Sequence, residues 1–300
     1  MPEAPTIETI DLRKRYDGVE ALRGLDLSVP PGSIFGFLGR NGAGKTTTIK
    51  ILLGVAKPTG GAARVFGVAA DAGDATVDVR RRIGFVSEEK DLYDYMTVNE
   101  IVRFTASFYP RWRRDLEQRY RQLFALRADA RVKTLSRGTR SKLALLLALC
   151  RGAELLILDE PTSGLDPAAA EEVLQALVAH AARDGATVFF SSHQIAEIEQ
   201  IADRVAIVDR GRTVVSGPLD ELRDQYRRVE FVFDGAAPAA SFRAPGVARV
   251  VREGRVLTVL CAAGSDRVVS EAGPLRPVSI DVRPVTLKDI FLDSVRSEEV

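Results

Sequence analysis

The chain has 300 residues, 46% of them hydrophobic and 28% charged, which suffices to bury one large core and a smaller second one. Lys and Arg number 42 against 41 Asp and Glu, so no overall basic field exists to draw the chain onto nucleic acid or anionic lipid. Cys150 and Cys261 stand in no metal or redox spacing, so nothing argues for a zinc site or a disulfide framework, and a reducing cytosol is the expected home.

In chain order, residues 7–12 and 25–29 read as edge strands, and Pro30-Pro31-Gly32 turns the second into the apolar run 34–38. That run ends in a glycine-rich turn, after which 46–53 has helical spacing, so the order is strand, glycine loop, helix. Residues 83–86 lead into a helical stretch where Trp112, Leu116, Tyr120, Leu123 and Phe124 recur at the spacing of one helix face. The longest apolar run, 143–150, falls far short of the roughly 20 residues that cross a bilayer, and the N-terminus has no leader pattern. If the chain serves a membrane, another chain is expected to span it.

Residues 155–158 and 187–191 are short and nearly all apolar, as central strands of a parallel sheet covered on both faces would be. Beyond Tyr226 the pattern becomes short alternating strands, at 229–233, 248–252 and 256–260, with a loop rich in Ala, Pro and Gly at 235–245. An amphipathic end carries Leu287, Ile290, Phe291 and Val295. These features predict a separate small domain.

The run Gly39-Arg40-Asn41-Gly42-Ala43-Gly44-Lys45-Thr46 matches G-x-x-x-x-G-K-[ST] without a gap. Its glycines let successive N–H groups point at phosphate oxygens, and the following helix adds the positive end of its dipole. Lys45 offers a point charge to the β- and γ-phosphates, and the Thr46 hydroxyl a ligand to magnesium, with Thr47 beside it among the nucleotide contacts. At the end of the apolar run 155–158, Asp159 and Glu160 stand where open α/β sheets bind ligands. Asp159 is suited to hold magnesium through water, and Glu160 to act as the general base for a water attacking the γ-phosphate.

With both motifs placed, residues 7–226 resemble the ABC ATPase family. Leu135-Ser136-Arg137-Gly138-Thr139 stands where that family carries its LSGGQ signature. Ser136 and Gly138, the family's γ-phosphate contacts, are kept, whereas Arg137 and Thr139 replace a glycine and a glutamine. Ser163-Gly164-Leu165-Asp166 looks like the D-loop, His193 like the switch histidine, and Tyr16 like the aromatic that stacks on adenine. Glu88 stands where the family usually has glutamine; its carboxylate still offers oxygen to magnesium and the attacking water.

The resemblance implies an α/β fold: a P-loop ATPase core with an antiparallel β edge over 1–226, a helical subdomain inserted at about 88–150, and a small C-terminal α+β domain over 227–300. It implies ATP and Mg²⁺ as ligands, a second ATPase subunit as partner, and a separate transmembrane permease that keeps the chain on the inner face of the membrane. The finer features, Glu88 with Leu92-Tyr93, the segment 108–112 and the modified signature, look most like bacterial exporter-type subunits paired with ABC-2-type permeases. A soluble ABC protein acting on ribosomes or nucleic acid is the alternative, but such relatives tend to carry tandem nucleotide modules or long coiled coils, and near-neutral charge argues against it. A non-hydrolysing sensor would be expected to lose Glu160 or His193.

Overall fold

A computed structural model describes residues 4–296. The chain divides into two compact units, Met1–Ser216 and Gly217–Val300. In the first, the strands are β1 (Ile7–Tyr16), β2 (Val19–Val29), β3 (Ile34–Gly39), β4 (Gly60–Val65), β5 (Val68–Ala69), β6 (Ile83–Val86), β7 (Leu155–Asp159), β8 (Thr187–Ser192), β9 (Arg204–Asp209) and β10 (Arg212–Pro218). Its helices are α1 (Lys45–Leu52), α2 (Ala75–Arg81), α3 (Val98–Ala106), α4 (Arg114–Leu123), α5 (Arg137–Leu149), α6 (Pro167–Asp184) and α7 (Ile195–Ile201).

The central sheet has the order β10-β9-β3-β8-β7-β6, and β3, β6, β7, β8 and β9 pair in parallel. Every residue of β3, β7 and β8 is buried, which is why these strands read as apolar runs and not as alternation. Phe35 and Phe37 of β3 stack on Phe189 of β8 at 5.8 and 5.2 Å, locking neighbouring strands from one face. A second sheet, β2-β1-β4-β5, is antiparallel and forms the expected edge; β1 and β2 run longer than their apolar residues alone suggest.

Between β6 and β7 lie α3, α4 and α5. Thr97 and Glu100 close a capping box on α3, Thr97 Oγ1 accepting from the Glu100 N–H while the Glu100 carboxylate accepts from the Thr97 N–H. In α5, residues 143–149 are all buried, so the longest apolar run is core, and no described helix is long and apolar enough to cross a membrane. In α4, Leu116 and Tyr120 are buried as their spacing predicts, but Leu123 is exposed. The helix ends there, and Phe124, the C-cap, turns inward to stack on Tyr120 at 5.6 Å.

The second unit contains α8 (Leu219–Gln225), β11 (Arg227–Val232), β12 (Val247–Glu253), β13 (Val256–Cys261), α9 (Ser265–Ala272), β14 (Ser279–Pro284) and α10 (Leu287–Arg296). Its break falls at Ser216, where the change of pattern suggested Tyr226, because α8 groups with the strands that follow it. The strands form one antiparallel sheet, β12-β13-β11-β14. Val229, Phe231, Val259 and Cys261 pack on Val268 and Ala272 of α9 in a core of their own. Leu287, Ile290, Phe291 and Val295 of α10 are all buried. The edge strand β14 offers only Ile280 and Val282 as an alternating signal, and all six of its residues are exposed.

Candidate active site

The loop from β3 to α1 owes its path to glycine. Gly44 sits at φ +107° as the N-cap of α1, and a Cβ there would lie 2.7 Å from Leu22 Cδ2 and 3.0 Å from the Ala21 carbonyl oxygen. A Cβ on Gly39 would lie 2.7 Å from the Val208 carbonyl oxygen. With these positions bare, the loop lies tight against β9 and β2, and the first turn of α1 opens its N–H groups toward a cavity of about 520 Å³. Asn41, Gly42, Gly44, Lys45, Thr46 and Thr47 line one side of that cavity; Glu88 and Glu160 line the other.

Lys45 is buried, and its Nζ donates to the Gly39 carbonyl at 2.8 Å while standing 3.1 Å from Glu160 Oε1. Glu160, at the end of β7, is held in four further places. Its N–H donates to Ser191 Oγ at 3.0 Å, and its carbonyl accepts from Lys90 Nζ at 2.8 Å and from the Ser163 N–H at 3.1 Å. Its Oε2 lies 2.8 Å from Nδ1 of the half-exposed His193. The Ser191 hydroxyl in turn donates to Asp159 Oδ1 at 2.6 Å, joining the Asp159 carboxylate and the Glu160 backbone to the end of β8. Glu160 adopts φ +47°, a left-handed conformation costing a non-glycine residue ~1–3 kcal/mol, which persists only where the surroundings over-determine it. Burial pushes the Lys90 ammonium below the ordinary lysine range, opposed by the nearby charges of Glu88, Asp159 and Glu160.

The arrangement is a phosphate cradle with a buried cation at its floor and a clamped carboxylate facing it. Residues 22–163 match the family model described as "ABC transporter". The bacitracin transport ATP-binding protein BcrA of Bacillus licheniformis is 36% identical over 74% of this chain and 72% of its own length. The Nod factor export ATP-binding protein I of Cupriavidus metallidurans is 31% identical over 94% of both chains. The chain belongs to the ABC transporter ATP-binding family. A solved ATP-binding subunit of an ABC transporter superposes with a TM-score of 0.66 at 31% identity, over 73% of this chain and 92% of the other. ATP is what such a cassette binds and hydrolyses.

Within this cassette the remaining expected residues are distributed unevenly. Asp159 is buried behind the cavity wall, tied to Ser191, and does not line it. Tyr16 closes β1 with its ring exposed and Lys14 Nζ 4.7 Å from the ring centroid, away from the cavity lining. Ser136 is the N-cap of α5, accepting from the Thr139 N–H at 3.2 Å, with the two hydroxyls 2.9 Å apart. Gly138 lies in the first turn of the same helix, and Asp166 caps α6 by accepting from the Ala169 N–H at 2.9 Å. None of these three lines the phosphate cavity. Arg137, between Ser136 and Gly138, lines a different cleft of about 430 Å³ together with Glu88, Glu89, Lys90 and Gly164. Lys90 and Ser191 were missed by sequence reasoning. A lysine after two glutamates reads as a solvated charge run, and a serine in an apolar strand as a tolerated polar residue.

Proposed function

We propose that this cassette is the motor of an export-type transporter, working as one of a pair beneath a separate transmembrane permease on the cytoplasmic face of the membrane. The observation that carries the pairing is the separation of Ser136 and Gly138 from the cavity that holds Lys45 and Glu160. A site needing all four is completed by a second cassette, whose signature helix presents its N-terminal turn to this chain's nucleotide. The relative named for Nod factor export supports export as the direction, and it matches both units of the chain.

In this reading the loop amides around Asn41, Gly42 and Gly44, with Lys45 and Thr47, hold the phosphates, and Tyr16 stacks on adenine. Among the described residues no cluster of three or more His, Cys, Asp or Glu could cage a metal. That suits magnesium arriving with ATP, since it takes few protein ligands and keeps water and phosphate oxygens. Thr46 and Glu88 would hold it directly and Asp159 through water, and it would supply charge neutralisation to the phosphates. Glu160 is the base for the attacking water, with His193 orienting its carboxylate through the 2.8 Å contact. Asp166 steadies the turn between the two cassettes.

For the permease, the segment after β6 offers a surface. Tyr95, Tyr93, Phe104 and Phe108 are exposed and form a continuous aromatic chain with centroids 5.8, 5.7 and 5.0 Å apart. It suits an amphipathic cytoplasmic helix of a membrane partner. The pairing is tested by analytical ultracentrifugation with MgATP. Glu160→Gln should form an ATP-dependent dimer and Lys45→Ala should not; ATP binding without a dimer would sink self-pairing.

A further inference from the structure

The turn 87–90 meets the site at both ends. Glu88 lines the phosphate cavity, and Lys90, 5% exposed, donates its ammonium to the carbonyl of Glu160 at 2.8 Å. That carbonyl also accepts from the Ser163 N–H, a bond inside the loop following β7 that moves whenever the loop moves. The Lys90 bond is different, because it arrives from a segment 70 residues away in sequence.

The backbone of Glu160 is where such a tether matters. Its φ of +47° crowds Cβ against the following carbonyl, so the peptide planes on either side of its Cα are under pressure to rotate. Ser191 Oγ pins the N–H of the plane before that Cα at 3.0 Å, and Lys90 pins the C=O of the plane after it at 2.8 Å. Rotating either plane about that Cα would swing the Glu160 carboxylate off Lys45 and His193, which stand 3.1 and 2.8 Å from it. A buried ammonium is a costly way to satisfy a carbonyl that already has a donor, so filling space does not explain the lysine.

We propose that Lys90 is a positioning residue for hydrolysis: its ammonium holds the Glu160 carbonyl, and through it the left-handed backbone that aims the Glu160 carboxylate into the phosphate cavity. The inference rests on Glu160 being the base. Since Lys90 shares its turn with Glu88, a shift of that turn alters the phosphate end and the catalytic carboxylate together. Arg140 of α5, 2.5 Å from Asp94, ties the segment that follows to the signature helix.

The test is single-turnover hydrolysis of MgATP by excess full-length protein, where the rate at saturation reports the chemical step and its concentration dependence reports affinity. Lys90→Met should slow the saturated rate ~10–100-fold while affinity changes by less than about twofold, and Lys90→Arg should recover most of the loss. In a Glu160→Gln background, adding Lys90→Met should change nothing further, because the group it positions is gone. If Lys90→Met fails to fold, Lys90→Gln carries the same comparison. A saturated rate equal to wild type, an affinity that falls in step with the rate, or an equal added loss in the Glu160→Gln background overturns the proposal. Wild-type hydrolysis by Glu160→Gln alone would instead remove the base assignment beneath it.

Discussion

The carboxyl edge of the central sheet and the head of α5 both carry polar residues, in opposite circumstances. At the sheet edge, Lys45, Asp159 and Glu160 are buried and held by one another and by Ser191, Lys90 and His193, groups far away in sequence. At the head of α5, Ser136 and Thr139 bond to each other and to the first turn of their own helix. The first region is a finished electrostatic network, so removing one member strands the rest in a low dielectric. The second is locally satisfied, so its value must come from what it meets outside this chain.

The largest effect follows from breaking the network at its cation. Lys45→Ala leaves the buried Glu160 carboxylate with only the half-exposed His193 beside it, and should cost roughly 3–5 kcal/mol of stability and reduce MgATP affinity by ~100-fold or more, read by thermal melts and calorimetry. Next comes the cradle. Gly44→Ala must adopt φ +107° and meet Leu22 at 2.7 Å, so it should lose about 1–3 kcal/mol and weaken nucleotide binding with all charges intact. Normal binding by this variant would mean that the loop relaxes freely.

At the other region the effects should separate. Ser136→Ala removes a helix cap worth ~1 kcal/mol, visible as a small shift in melting temperature, and leaves ATP binding by the single chain unchanged. It should nevertheless abolish the ATP-dependent dimer of Glu160→Gln. A dimer that survives would reduce the signature to a capping motif.

The smallest effect lies away from both regions. His180 is buried on α6 with Nδ1 3.2 Å from Asp184 Oδ2, yet neither ring nitrogen makes a well-directed hydrogen bond. Burial depresses its pKa, with Asp184 opposing and Arg113 and Arg119 reinforcing. The unfolded histidine titrates near ~6.5, so below that pH the unfolded chain binds the extra proton and stability falls as pH drops. Melting of wild type should therefore decline more steeply between pH 7 and pH 5.5 than melting of His180→Gln. Parallel declines would show that His180 protonates without penalty.

How much could be read in advance depended on distance along the chain. The strand, glycine loop and helix of 34–53, the acids after 155–158 and the stripe of α10 are local patterns whose spacing is the chemistry, and the fold keeps them. Leu123 shows the limit of periodicity, since it is the last residue of α4 and Phe124, one position on, takes the inward place against Tyr120. The edge strand β14 and helix α9 lacked a signal strong enough to read.

Local order along the sequence therefore determined the kind of site this is: a phosphate cradle followed by two carboxylates at the end of a buried strand. Only the tertiary structure decided how the carboxylate is held, because its partners Ser191, His193 and Lys90 lie 31, 33 and 70 residues away and no spacing rule joins them. Sheet order and burial brought them together, and a buried charge keeps the partners that the fold leaves within reach.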